Sequence, residues 1–208
     1  MKANIIRNAV YIVAGYFAAL ILIASAHAQT PEALIAEGDK HYYGQGTLQD
    51  YRKAIELYQQ AESLGSPAAA HYLGYMYQKG VGVSIDHKVA LKWFSKAAER
   101  GHAAAQYSLG YIYENGLGVR IDYAVSRHWY TKAANQDFAL ALRQMGIIYS
   151  RGLGVTPDLN VAVEYHQRAA NLGDSVAKRN LVTLLPHVRK AIDPTLTASI
   201  NGIAGFNR

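Results

Sequence analysis

AQYSLGYIYENGLGVRIDYAVSRHWYTKAA, from Ala105 to Ala134, is the stretch whose reading decides the fold. Its landmarks recur at a constant step of 36 residues in both directions. Gly110 is matched by Gly38, Gly74 and Gly146. Gly116 and Gly118 are matched by Gly80 and Gly82 and by Gly152 and Gly154. Asp122 is matched by Asp50, Asp86 and Asp158, and Tyr113 by Tyr77 and Tyr149. Trp129 aligns with Trp93 and Tyr165, and the pair Ala133-Ala134 with Ala97-Ala98 and Ala169-Ala170. So many positions held in register without an insertion mark a structural repeat.

One step earlier, the residues show how each unit folds. Ser66 followed by Pro67 is a helix start: the hydroxyl can take a free N–H of the first turn, and proline lacks one of its own. Ala69, Tyr72, Leu73, Met76 and Tyr77 then recur at helical spacing. Lys79-Gly80 ends the helix, with a cation at its negative end and a residue able to turn left-handed. Asp86 opens a second helix whose apolar stripe is Val89, Ala90, Trp93, Phe94, Ala97 and Ala98, and Gly101 stops it. A glycine inside a helix costs about 1 kcal/mol relative to alanine. Its retention at Gly74, Gly110 and Gly146 therefore predicts a close approach by another element, and Ala97-Ala98 is the expected opposing surface. Tyr77, Tyr113 and Tyr149, with Trp93 and Trp129, are the expected packing residues between units.

One helix pair cannot bury its own apolar face, so the pairs must stack. The expected fold is all-α: a right-handed solenoid of antiparallel helix pairs at about 31–65, 66–101, 102–137 and 138–173, with a closing helix at 175–185. Together they make one domain over 29–185. In the first unit Glu37, Asp39, Lys40 and His41 stand where the second has Leu73, Tyr75, Met76 and Tyr77, and this polarity suits a solvent-facing cap. Pro186, Pro194, Gly202 and Gly205 predict a loosely held tail over 186–208. Residues 1–28 read as a secretory signal: Lys2 and Arg7, an apolar run from Ala9 to Ala24, and Ala26-His27-Ala28 as the cleavage site. The competing reading is an uncleaved anchor, since Ile5 to Ala26 approaches the ~20 residues that span a bilayer. The expected destination is the periplasm or the medium.

Composition narrows the chemistry. The chain has no cysteine, which excludes thiolate zinc sites, thiol catalysis and a lipid-bearing cysteine. Lys and Arg number 21 against 15 Asp and Glu, and without Lys2 and Arg7 the balance is only +4. That excess is too small to point to nucleic acid.

The units around Ala105–Ala134 and Trp93-Phe94-x-Lys96-Ala97-Ala98 resemble the Sel-one-like repeat family, a branch of the tetratricopeptide-like helical solenoids. Departures are Met145 for leucine, Tyr165-His166 for the aromatic pair, Arg168 for lysine, and Asp137 where the family has glycine. The resemblance implies an adaptor protein, and the residues themselves offer no expected catalytic set and no cofactor site. A cysteine-paired subgroup linked to penicillin binding is not matched, because those cysteines are missing.

In such solenoids the first helix of each pair lines the inner, concave face. That orientation assigns His71, Tyr75, Gln78 and Lys79 in the second unit to a partner-binding surface. It assigns Tyr107, Tyr111, Glu114 and Asn115 in the third, and Arg143, Ile147 and Arg151 in the fourth. Tyrosine and arginine suit binding surfaces, with large contact area and polar tips. The alternative is that these tyrosines are half-buried between neighbouring helices. The Gly-x-Gly loops recur in every unit without a preceding strand or a Lys-Ser pair, so they are turns rather than phosphate cradles. Seven histidines after the signal fall at no metal-binding spacing, and His87 and His102 are expected in solvent. Ser63, Ser66 and Ser108 lack an orienting carboxylate. The leading reading is an exported scaffold that binds a protein or peptide, touching membrane only through an uncleaved signal. The alternative is a cell-wall-active enzyme of the penicillin-binding or β-lactam-hydrolase kind.

Overall fold

Most helix starts among the described residues are set by side chains that accept the free N–H groups of a first turn, whereas the helix from Ala139 starts at Phe138 with no side-chain cap. The computed structural model describes residues 30–188, which hold nine α-helices and no strand. These are α1 (Pro31–Tyr43), α2 (Tyr51–Ser63), α3 (Pro67–Lys79), α4 (His87–Glu99), α5 (Ala103–Asn115), α6 (Tyr123–Ala134), α7 (Ala139–Arg151), α8 (Leu159–Asn171) and α9 (Ser175–Leu184), followed by a 3₁₀ turn at Leu185–His187. Thr30, Ser66 and Asp174 cap α1, α3 and α9, and Asp50, Asp122 and Asp158 cap α2, α6 and α8. Each such cap stabilises its helix by about 1 kcal/mol. The first helix of every pair ends on a glycine in the left-handed region, such as Gly116 at φ 67°. The expected export signal and most of the expected tail lie outside the described residues. Among the described residues no helix is long and apolar enough to cross a membrane.

The helices fall into two compact units divided after Asp86. In the first, α2 packs on both α1 and α3. In the second, α4 to α9 stack in chain order, each on the next. The second unit's core runs through Tyr130, Ala133, Ala134, Ala141, Leu142, Met145, Ile148, Val163, Ala169, Ala170, Ala177 and Leu181. These stacked antiparallel pairs are the expected all-α repeat architecture.

The partner of the helical glycines differs from the expected one. A Cβ on Gly110 would lie 2.5 Å from ring carbons of Tyr130. On Gly38 it would lie 2.7 Å from Tyr58, and on Gly146 2.7 Å from His166. No alanine is among the nearest atoms at these glycines; Ala133 and Ala134 join Tyr130, Ala141 and Leu142 in the core. The glycine thus admits an aromatic ring from the second helix of its own pair. Phe94 and Tyr130, next to the tryptophans, are fully buried aromatic residues of that stripe. Trp93 and Trp129 are half-buried, with Lys96 and Lys132 over their rings at 5.5 and 4.6 Å. His87 and His102 are also half-buried rather than in solvent. His102 caps α5, its Nδ1 accepting from the Ala105 N–H at 3.3 Å.

Candidate functional site

On α1, Asp39, Tyr42 and Tyr43 are three and four residues apart and so share one face. On α3, His71 and Tyr72 lie one turn from Tyr75 and Met76. With Tyr58 of α2 beneath them, these eight residues line a hollow of about 400 Å³ inside the first unit. Tyr58 is buried, and its hydroxyl donates to Asp39 Oδ1 at 2.6 Å. Its ring stacks on Tyr72 with centroids 5.1 Å apart. Tyr42 meets Tyr43 edge-on at 4.7 Å and 74°. Burial, and then the bond to Asp39, push the Tyr58 phenol far above its ordinary pKa. Burial also raises Tyr42 and Tyr72. All three therefore stay neutral phenols at physiological pH. On the same helix Lys40 Nζ sits 2.8 Å from Glu37, and His41 Nε2 lies 3.8 Å from the same carboxylate.

Of the predicted partner-binding residues, the structure brings His71 and Tyr75 into this hollow. Gln78 is half-buried and Lys79 is exposed farther along α3. Tyr75 is 40% exposed despite its size. Asp39, Tyr42, Tyr43, Tyr58 and Tyr72 were not expected to belong to a site. Of these, only Asp39 belongs to the polar run Glu37, Asp39, Lys40 and His41 that reads in sequence as a cap.

The corresponding residues of the second unit are arranged differently. Tyr130 is fully buried and donates its hydroxyl to Glu114 Oε2 at 2.7 Å, and Gln144 Nε2 donates to the same oxygen at 3.0 Å. Burial first, and Glu114 second, raise the Tyr130 phenol well beyond its usual range. Arg143 pairs with the buried carboxylate of Asp174 at 2.9 Å. Tyr107 packs on Tyr130 and Phe138 with centroids 5.5 and 5.6 Å apart. These predicted partner-binding groups thus have internal partners. Tyr111 remains 38% exposed, Asn115 and Arg151 are exposed, and Ile147 is half-buried.

The three serines considered as nucleophiles are engaged locally. Ser66 accepts from the Ala69 N–H at 3.3 Å, Ser63 donates to the Gln60 carbonyl at 2.7 Å, and Ser108 to the Ala104 carbonyl at 2.9 Å. Among the described residues no group of three His, Asp or Glu side chains could hold a metal ion.

The family model described as Sel1 repeat matches four times, at residues 33–66, 67–102, 103–138 and 139–174. Among solved structures the chain resembles a Sel1 repeat protein from Oxalobacter formigenes, with 34% identity and a TM-score of 0.76 over 86% of this chain and 74% of that one. It also resembles a protective antigen present in uropathogenic Escherichia coli strains that displays an SLR fold. There the identity is 33% and the TM-score 0.76 over 85% of this chain, which spans 38% of the antigen's length. No curated protein matches the chain.

Proposed function

This chain belongs to the Sel1 repeat family, and from that premise we propose that it is an exported scaffold that binds a protein or peptide partner through the exposed tyrosines of its first helices. Sel1 repeats commonly serve protein–protein interaction, and the Sel1 solenoid is typically non-enzymatic. The carrying observation is the exposure of Tyr75 and Tyr111, 36 residues apart in one repeat position. The fold's own packing buries the neighbouring Met76 and Ile112 and leaves these two rings out. Large aromatic side chains with polar tips are the kind of residue that dominates binding energy at interfaces.

Export rests on the order of charge, apolar run and small residues in 1–28. The E. coli relative's standing as a protective antigen supports the same reading. N-terminal sequencing of the protein recovered from the periplasm or medium tests it: a chain starting at Gln29 is expected, and one starting at Met1 overturns the cleavage.

A photo-crosslinking residue placed in turn at Tyr75, Tyr111, Lys92 and His128 tests the scaffold reading in living cells. The same partner is expected as an adduct from the first two positions and not from the last two, which are exposed on second helices. Adducts absent at Tyr75 and Tyr111, or equal at all four positions, would overturn it. Turnover of a β-lactam by the pure protein would overturn the non-enzymatic reading.

A further inference from the structure

We propose that the tyrosine-lined hollow of the first unit is a pocket for an alkylammonium group, occupied by a lysine side chain of the bound partner. The assignment rests on the scaffold reading above and deepens it. Five of the eight lining residues are tyrosines, and the one carboxylate among them is Asp39. Aromatic faces attract a cation through the ring quadrupole, most strongly when the cation is out of water. The Tyr42 and Tyr43 rings meet at 74°. Rings at steep angles wall a concave space that suits a compact cation, whereas a sugar ring stacks on a flat platform. About 400 Å³ lies in the range of small-ligand sites and takes a side chain rather than a folded element.

The carboxylate favours lysine over arginine. Asp39 Oδ1 is already committed to the Tyr58 hydroxyl, which disfavours the two-pronged grip of a guanidinium. An ammonium is a point charge with three rotatable donors. It can use the remaining lone pairs of Asp39 and the phenol oxygens around it. No lysine or arginine lines the hollow to compete. His71 is its other titratable group besides the tyrosines.

The test uses the full chain with labelled tyrosine rings, titrated with acetyl-Gly-Lys-Gly-amide. The controls are the same peptide carrying norleucine or Nε-acetyl-lysine, and cellotriose. The lysine peptide is expected to shift the Tyr42, Tyr43 and Tyr75 resonances to saturation, with both analogues at least tenfold weaker. Asp39→Asn is expected to weaken the lysine peptide at least fivefold. Its amide oxygen can still accept from Tyr58, so the fold should be kept, whereas Glu37→Gln on the same helix should change nothing. Tyr43→Leu is a second probe should Asp39→Asn not fold: it keeps bulk at an exposed position, removes a ring face, and is expected to weaken binding several-fold. Equal binding of the norleucine peptide, an Asp39→Asn or Tyr43→Leu protein that binds undiminished, or shifts with cellotriose alone would overturn the assignment. If the rings ignore the lysine peptide while crosslinks at Tyr75 and Tyr111 persist, the lysine assignment falls and the scaffold stands. If the peptide binds and the crosslinks are absent, the scaffold reading falls instead, and with it the partner as the source of the lysine.

Discussion

Two sets of residues in this molecule are related by two steps of the repeat and have different structures. Asp39, Tyr42, Tyr58 and Tyr72 in the first unit correspond in sequence to Tyr111, Glu114, Tyr130 and Gln144 in the second. Both units bury a tyrosine against a helical glycine, and both satisfy its hydroxyl with a carboxylate from the preceding helix. In the second unit that carboxylate also accepts from Gln144, and Arg143 is held by Asp174. In the first unit the positions of Glu114 and Gln144 are occupied by aromatic rings, and a hollow lies between them. One repeat geometry thus makes core or site, depending on whether its polar positions can satisfy one another.

If that difference is mechanical, overpacking should hurt the second unit more. Gly110→Leu is expected to cost about 3 kcal/mol or more in urea unfolding, because Tyr130 has packed neighbours on every side. Gly38→Leu should cost about 1–2 kcal/mol, since the Tyr58 ring can lean toward the hollow. Equal costs would show that the hollow gives the ring no freedom.

His166 is the third form of the same position. It is fully buried, its Nδ1 has no hydrogen-bond partner, and burial pushes its pKa down from 6.5 to about 4, against the pull of Asp174. The folded state therefore keeps the imidazole neutral while the unfolded chain takes up a proton below pH 6.5. Stability from this residue is complete above pH 6.5 and declines as the pH falls toward 4, by up to about 3 kcal/mol. His166→Phe, which copies Phe94, should flatten stability measured across that window. An unchanged slope would assign the acid loss to other groups.

Removing the carboxylates comes next in size. Glu114→Ala leaves two donors without their acceptor and is expected to cost about 2 kcal/mol. Asp39→Ala leaves only the Tyr58 hydroxyl, which water entering the hollow can satisfy, so about 1 kcal/mol or less is expected. Matching losses in urea titrations would mean that the first site is as dry as the second.

The repeat step, the helix pairs and the caps were legible because each depends on local chemistry at fixed spacing: Asp122 before a helix or Gly116 after one means the same thing anywhere. The hollow was not legible. It depends on which residues of α1 meet which residues of α3, and a polar run such as Glu37 to His41 reads as a cap until Tyr58 is placed beneath Asp39. The glycines were read correctly as close approaches but given the wrong neighbour. Alanine is small enough for any tight contact, so size alone could not show that the ring twenty residues on was the one admitted. Likewise Arg143 and Glu114 look like binding residues in sequence, because their partners lie elsewhere in the fold: Tyr130 and Gln144 on other helices, and Asp174 at the cap of α9.

The smallest expected effect concerns the turn after α6, where the family's glycine is replaced. Asp137 has φ +54°, while Gly65, Gly101 and Gly173 hold the same turn at +95°, +87° and +92° with no atom near a would-be Cβ. The strain on Asp137 is therefore in the backbone rather than in a clash, and aspartate tolerates this region better than most residues. Its carboxylate accepts from Arg168 at 2.8 Å, an exposed pair that contributes between 0 and about 1 kcal/mol. Asp137→Gly relieves the backbone but loses the pair and loosens the unfolded chain. A net gain of about 0.5 kcal/mol is expected, while Asp137→Ala, which keeps the strain and loses the pair, should lose about 1 kcal/mol. A loss with glycine as large as with alanine would show that even the rim bonds of the second unit stabilise it. The contrast with the open first unit would then extend from the core to the surface.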